Sequence, residues 1–158
     1  MDEATAAKKL QRMAYEIAEQ NAGEKELILA GIRDNGVTLA HIISRHVQAI
    51  LHNQIKVVEI ALDKRSPSGV QLSEEIDFND AVVILVDDVV NSGKTLLYAL
   101  KPLLRFYPKK IQTLTLVERS HKMYPVASDY VGISLATTLQ EHIFVEVEEG
   151  RVKGAYLA

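Results

Sequence analysis

The chain has 158 residues, 47% of them hydrophobic and 25% charged, which is the make-up of one globular domain with its own core, read here as a single domain over 1–158. Lys and Arg number 18 against 21 Asp and Glu, a formal charge of −3, so no global basic field exists to hold a nucleic-acid backbone nonspecifically. With no cysteine, disulfide frameworks, zinc ribbons, iron–sulfur clusters and thiol catalysis are excluded together, and chemistry is left to carboxylates, amides, hydroxyls or a ligand-borne metal.

The start, Met1-Asp2-Glu3-Ala4-Thr5, is acidic and leads into no apolar targeting segment, so a cytoplasmic protein without a membrane span is expected. Leu10, Met13, Ala14, Ile17 and Ala18 recur at helical spacing, and Asn21-Ala22-Gly23 would terminate that helix. Leu27 to Ile32 is a short apolar run ending in Arg33-Asp34-Asn35-Gly36, which predicts a buried strand feeding a loop. Leu39, Ile43, Val47 and Ile50 mark a second helix, and Ile55 to Leu62 a second strand. The polar stretch from Asp63 to Asp80 shows no clear periodicity and predicts a long mobile loop. Ala81 to Val86 is the most apolar run and predicts a central strand of a parallel sheet, ending in two acids. Leu96 to Leu104 then has helical spacing, with Pro102 set to kink or shorten the helix; Ile111 to Val117 and Ile143 to Val147 return to strand character. Strands alternating with helices imply an α/β fold, a mostly parallel sheet flanked by helices with short C-terminal strands, whose ligands sit at the carboxyl ends of the strands.

The specific chemistry lies in Val83-Ile84-Leu85-Val86-Asp87-Asp88-Val89-Val90-Asn91-Ser92-Gly93-Lys94-Thr95. A strand delivers two carboxylates to its carboxyl end, and the chain then enters a helix through Ser-Gly-Lys-Thr. Free N–H groups, the hydroxyls of Ser92 and Thr95 and the bare Gly93 suit a phosphate dianion. The acids cannot also bind phosphate; they suit sugar hydroxyls or the water shell of Mg²⁺, so a sugar phosphate fits both halves. A Walker A loop is excluded, because the pattern needs glycine where Asp88 stands. The blander alternative, in which the acids end a strand and Ser92 caps a helix, leaves unexplained why the two features occur together.

These thirteen residues resemble the phosphoribosyl-pyrophosphate (PRPP) motif of the type I phosphoribosyltransferases. The likeness is closest to the pyrimidine operon regulator (PyrR) and uracil phosphoribosyltransferase group and spans nearly the whole chain: Arg12 to Ile17 through Asn21 is similar to the first helix. Leu29 to Ile32 with Gly36 and Leu39-Ala40 is similar to the pyrophosphate loop. Val117-Glu118-Arg119-Ser120-His121 through Ala127 to Gly132 is similar to the base-binding end. The resemblance implies transfer of phosphoribosyl from PRPP to a nucleobase, with Mg²⁺ carried by PRPP. By it, Asp87 and Asp88 hold the ribose hydroxyls as catalytic residues, and Asn91, Ser92, Gly93, Lys94 and Thr95 form the PRPP and 5′-phosphate site. Arg33, Lys64 and Arg65 serve the pyrophosphate, with the 63–80 loop closing over the site; Tyr130 stacks on the base and the Val131 backbone reads its edge. A homodimer or higher homo-oligomer is expected by the same analogy.

Particular residues refine this. Asn91 stands where 6-oxopurine enzymes place an acid that handles the purine proton, and an amide cannot be that base. Glu118 replaces the lysine they set against the purine oxygen, so uracil is favoured. Asp34 puts a negative charge in the pyrophosphate loop, and Asn35 stands where the pyrimidine regulators carry arginine. An alternative function is a nucleotide-sensing regulator that binds RNA or a protein partner with little catalysis. Its candidate RNA contacts are Arg12, His121 and Lys122, but Tyr15, Gln20 and Ile133 replace basic residues of relatives, which disfavours RNA. Read without the resemblance, Tyr130 and Val131 are equally well a strand pair filling the core. His41, His46, His52, His121 and His142 have no metal-ligand spacing.

Overall fold

The computed structural model describes residues 1–63, 69–138 and 140–158. Helix α1 (Glu3–Gln20) is capped by Asp2, whose carboxylate accepts from the Thr5 N–H at 2.8 Å. Those hydrogen bonds hold the Asp2 carboxyl below its ordinary range. The predicted stripe from Leu10 to Ala18 is buried, and Asn21 ends the helix. Strand β1 (Glu26–Ile32), helix α2 (Asn35–Ile50) and strand β2 (Gln54–Ala61) follow as a parallel crossover unit. After the short β3 (Gln71–Leu72) come β4 (Val82–Val90), α3 (Lys94–Ala99), a single 3-10 turn over Lys101–Leu103, β5 (Lys110–Arg119) and β6 (Tyr130–Leu135). Pro102 lies in that turn, so the proline shortens the helix as its missing N–H requires. A two-stranded antiparallel hairpin, β7 (Ile143–Glu148) and β8 (Arg151–Leu157), completes the chain. Among the described residues no helix is long and apolar enough to cross a membrane.

The main sheet has six strands in the order β3-β2-β1-β4-β5-β6, parallel throughout except for β3. Alternation along the central strands feeds two cores. Leu27 and Leu29 of β1 with Val82, Ile84 and Val86 of β4 face α1 and α2, whereas Ile28, Ala30, Val83 and Leu85 face α3 and the 3-10 turn. Burial on both faces explains why these strands read as continuous apolar runs.

Two expectations change. Strand β4 does not end before its acids: pairing with β5 continues through Asp87↔Thr115 to Val90↔Glu118, because the β-branched Val89 and Val90 extend the ladder. The 63–80 stretch is not one mobile loop. Leu72 and Gln71 pair with Ile60 and Ala61, Ser73 is hydrogen-bonded to Glu59, and Phe78 is fully buried with its ring edge-on to Phe106. Val70, Leu72 and Ile76, at even spacing before Phe78, pack against the same core and anchor the second half of the segment with it. Lys64 and Arg65 lie outside the described residues.

The connections from β1 and from β4 leave toward opposite sides of the sheet, so the carboxyl ends of these neighbours border the crevice where α/β sheets take ligands. Two glycines let the start of α2 lie in that crevice. A Cβ at Gly31 would come within 2.6 Å of Val37 Cα, and one at Gly36 within 2.7 Å of the Val86 carbonyl oxygen. Gly36→Ala is therefore expected to push α2 off β4 and to destabilise the protein by about 1–3 kcal/mol, the usual cost of overpacking, read as a lowered Tm. An unchanged Tm would show that the contact is soft.

Candidate functional site

A cavity of about 390 Å³ opens at the carboxyl end of β4, walled by the unbroken run from Asp87 to Leu96 and by Ile143 of the hairpin. Asp87 is 1% exposed and Asp88 8%, rare depths for aspartate unless hydrogen-bonded. Asp87 Oδ1 accepts from the Asp88 N–H and Asp88 Oδ1 from the Val89 N–H, each at 2.9 Å. Asp88 Oδ2 accepts from Asn35 Nδ2, also at 2.9 Å. The Asn35 amide further donates to the Val145 carbonyl at 3.0 Å, so one side chain joins the β1–α2 loop, the acidic pair and the hairpin.

Ser92, Gly93, Lys94 and Thr95 form the turn into α3. Ser92 Oγ accepts from the Lys94 N–H at 3.2 Å, and Gly93 has φ +88°, a left-handed conformation that glycine adopts without strain. From behind, the Ser92 carbonyl accepts from the N–H groups of both Met123 and Tyr124 at 3.0 Å, so the β5–β6 loop buttresses the turn. Asp34, at the mouth of the β1–α2 loop, has φ 69° and ψ −115°, a strained backbone for a residue with a Cβ, and caps nothing with its side chain.

The structure brings Asp87, Asp88, Asn91, Ser92, Gly93, Lys94 and Thr95 together around the cavity. Arg33 is in the β1–α2 loop, its N–H bonded to the Ile60 carbonyl and its side chain exposed. Tyr130 and Val131 are not at the site. They sit at the start of β6, opposite Leu114 and Thr115. Tyr130 is fully buried, its hydroxyl donating to Gln112 Oε1 at 2.6 Å and accepting from Asn21 Nδ2 at 3.4 Å, which leaves no ring face for a base. The Val131 carbonyl is taken by Arg12 at 2.9 Å. Of the two sequence readings of this pair, core filling is the one the fold adopts.

Of the candidate RNA contacts, Arg12 and His121 are exposed and Lys122 is not. The Arg12 guanidinium is held by the Val131 and Gly132 carbonyls and by Glu16, and Lys9 donates to the same Gly132 carbonyl, so α1 covers the open edge of the sheet at β6. Lys122 turns inward: its ammonium lies 2.9 Å from Glu118 Oε2 with both side chains nearly buried, and its stem lies beside Gly93. Glu118 is consequently not the bare charge the sequence suggested. Only His121 of the three is exposed without a described bond. In the sequence Arg119 stands out only within the segment similar to the base-binding end, with no role of its own; it is a buried guanidinium at the end of β5 whose Nε donates to Asn91 Oδ1 at 2.9 Å.

The Tyr130 phenol titrates above its ordinary range because burial disfavours the phenolate. The folded chain keeps this proton after the unfolded chain has lost it, so the contribution is fully present below about pH 10 and is lost as pH rises through the higher folded value. Tyr130→Phe is expected to lower stability by about 1 kcal/mol at neutral pH through its hydrogen bonds. It should also flatten the alkaline loss of stability and leave ligand affinity unchanged. Chemical denaturation across pH, with ligand titration, checks this; a large affinity loss would return Tyr130 to the site.

Residues 2–149 match the phosphoribosyl transferase domain family. Proteins called bifunctional protein PyrR are similar over most of their length: that of Streptococcus gordonii is 34% identical over 155 residues, covering 94% of this chain and 90% of the relative. That of Staphylococcus carnosus is 35% identical over 160 residues, covering 94% and 91%. Among solved structures, a hypoxanthine-guanine phosphoribosyltransferase of Bacillus anthracis superposes with a TM-score of 0.75 at 20% identity, covering 90% of this chain and 84% of that one. The hypoxanthine phosphoribosyltransferase of Trypanosoma cruzi gives 0.75 at 17%, covering 85% and 79%. The crevice at the β1–β4 boundary, the acid pair and the Ser-Gly-Lys-Thr turn thus stand in a chain that belongs to the phosphoribosyltransferase family, with its α/β fold.

Proposed function

We propose that the protein transfers phosphoribosyl from PRPP to a nucleobase, with uracil favoured, giving the nucleoside 5′-monophosphate and pyrophosphate. The observation that carries this reading is the single cavity whose wall is the run from Asp87 to Leu96, acids at one side and phosphate turn at the other. Asp87 and Asp88 accept from the ribose hydroxyls, and their fixed negative charge opposes the positive charge that develops on the ribose as pyrophosphate leaves. Backbone N–H groups of Gly93, Lys94 and Thr95, with the Ser92 and Thr95 hydroxyls, hold the 5′-phosphate. The β1–α2 loop lies beside Asp88 and takes the pyrophosphate, with Arg33 as its described cation.

Among the described residues no three His, Cys, Asp or Glu side chains converge as a metal cage. The hard oxygens of Asp87 and Asp88 suit Mg²⁺ that arrives on PRPP, where the ion would neutralise the leaving diphosphate. The preference for uracil is supported by Asn91, an amide that cannot take a purine proton, and by the PyrR relatives. Glu118 supports it less than the sequence suggests, because Lys122 neutralises it.

A second reading, a nucleotide-sensing regulator, is favoured by Asn35. A neutral amide bonded to Asp88 occupies the pyrophosphate loop where a cation would grip the diphosphate, so the nucleoside monophosphate loses less than PRPP does. The relatives' name, bifunctional, allows both roles. Self-association as a homodimer and residence in the cytoplasm belong to the same proposal.

Steady-state assays with PRPP, Mg²⁺ and uracil, hypoxanthine or guanine test it. Asp88→Asn is expected to lower kcat by roughly 10²–10³, the usual effect of removing one preorganised electrostatic group, and Thr95→Ala to raise the KM for PRPP. Turnover unchanged in both variants would remove the site assignment. Nucleotide binding without turnover would favour the regulator, and faster purine turnover would overturn the base preference.

A further inference from the structure

Arg119 ends β5 one residue beyond Glu118, which is level with Val90 of β4. It is buried, and every described partner is a neutral oxygen: Asn91 Oδ1 at 2.9 Å, the Thr138 carbonyl at 2.7 Å, Thr137 Oγ1 and the Glu141 carbonyl. Thr138 and Glu141 form a turn closed on itself, for the Glu141 carboxylate accepts from both the N–H and the hydroxyl of Thr138 at 3.2 Å. A buried guanidinium with no carboxylate beside it is costly, and stability alone would be served as well by an apolar side chain. Its planar fork instead does what no apolar group can, gathering oxygens from three places in the chain into one plane. One of them, Asn91, is part of the cavity wall and immediately precedes the phosphate turn.

We propose that Arg119 is a positioning residue that builds the base-side wall of the cavity by pinning Thr137, Thr138 and Glu141 against Asn91. The inference rests on the phosphoribosyl reading of the cavity. With the ribose over the β4 acids and the phosphate in the turn, only two strands flank β4. The β1 side carries the Asn35 loop that faces the departing diphosphate, so the base falls on the β5–β6 side, where the chain leaving β6 is held by Arg119. Arg119 itself touches no ligand. It fixes the distance between that chain and Asn91, and with it the width available to a ring.

Calorimetric titration of the full chain with UMP and with ribose 5-phosphate, which lacks a base, separates this role from general support. Arg119→Gln is expected to weaken UMP by about tenfold or more, the scale of losing charge-assisted hydrogen bonds, and to leave ribose 5-phosphate within about twofold. Arg119→Lys keeps the charge without the fork and should recover UMP affinity only partly. Thr137→Val, which removes a single acceptor and keeps the side-chain shape, should weaken UMP by a smaller factor in the same pattern, and it decides the matter should the arginine variants fail to fold. Equal losses for both ligands, or UMP affinity untouched, would overturn the proposal. A wild-type protein that binds ribose 5-phosphate and UMP equally would overturn the base wall while leaving the phosphoribosyl reading in place. A wild-type protein that binds neither would remove both.

Discussion

The start of α2 reaches the end of β4 only because Gly31 and Gly36 have no Cβ, and the rest of the site depends on that approach. From this position Asn35 donates to Asp88 and to Val145, so the loop after β1, the acid of β4 and the hairpin meet at one amide. The choice of an amide has an electrostatic consequence. A cation there would pair with Asp88 and cancel much of its field, whereas an amide satisfies one lone pair of a buried carboxylate and leaves its charge in place. The acid remains able to face a ribose that becomes positive. The same neutrality removes a grip on a diphosphate, so chemistry and diphosphate binding pull this position in opposite directions.

Around the acid pair two cations are held away from the cavity wall. Lys122 lies against Glu118 under the phosphate turn, and Arg119 spends its donors on neutral oxygens beside Asn91. Neither borders the cavity, where Lys94 is the one cationic side chain of the described wall. The turn is held instead by the paired N–H groups of Met123 and Tyr124 on the Ser92 carbonyl and by the Lys94 N–H on Ser92 Oγ, which fix its backbone. On the proposed reading, shape and backbone dipoles more than side-chain charge would hold the phosphate there.

The motif on β4, the order of helices and strands, and the burial of α1 and α2 were legible because each rests on local pattern: period, caps and a hydrophobic run. What failed depends on registers between distant segments. The family resemblance suggested a stacking role for Tyr130, but the residue, although level with Val86 across β5, points into the core that packs against α1, and its hydroxyl finds Gln112. Lys122 looked like a surface cation until the folding of the β5–β6 loop set it against Glu118, whereas Arg12 stays exposed and only its donors are taken up, by carbonyls of β6. Val70, Leu72, Ile76 and Phe78 stand at even spacing among polar residues and pack into one core cluster, an alternation too sparse to announce the burial of Phe78. Arg119 was hidden for the converse reason: its partners come from segments far apart in the chain.

The chain shares its fold with hypoxanthine-guanine and hypoxanthine phosphoribosyltransferases at 17–20% identity. On the proposed reading the crevice at the β1–β4 boundary places the ribose phosphate, whatever the base. Selection of the ring is left to the few side chains between β4 and the segment after β6. In this chain those side chains are linked: Asn91 cannot act as a proton acceptor for a purine, and its Oδ1 is in addition occupied by Arg119. An aspartate at position 91 would form an ion pair with the same guanidinium, tightening the wall while losing freedom to take a proton. Purine chemistry here would therefore require more than restoring an acid at position 91; the arginine behind it would have to release the new carboxylate as well.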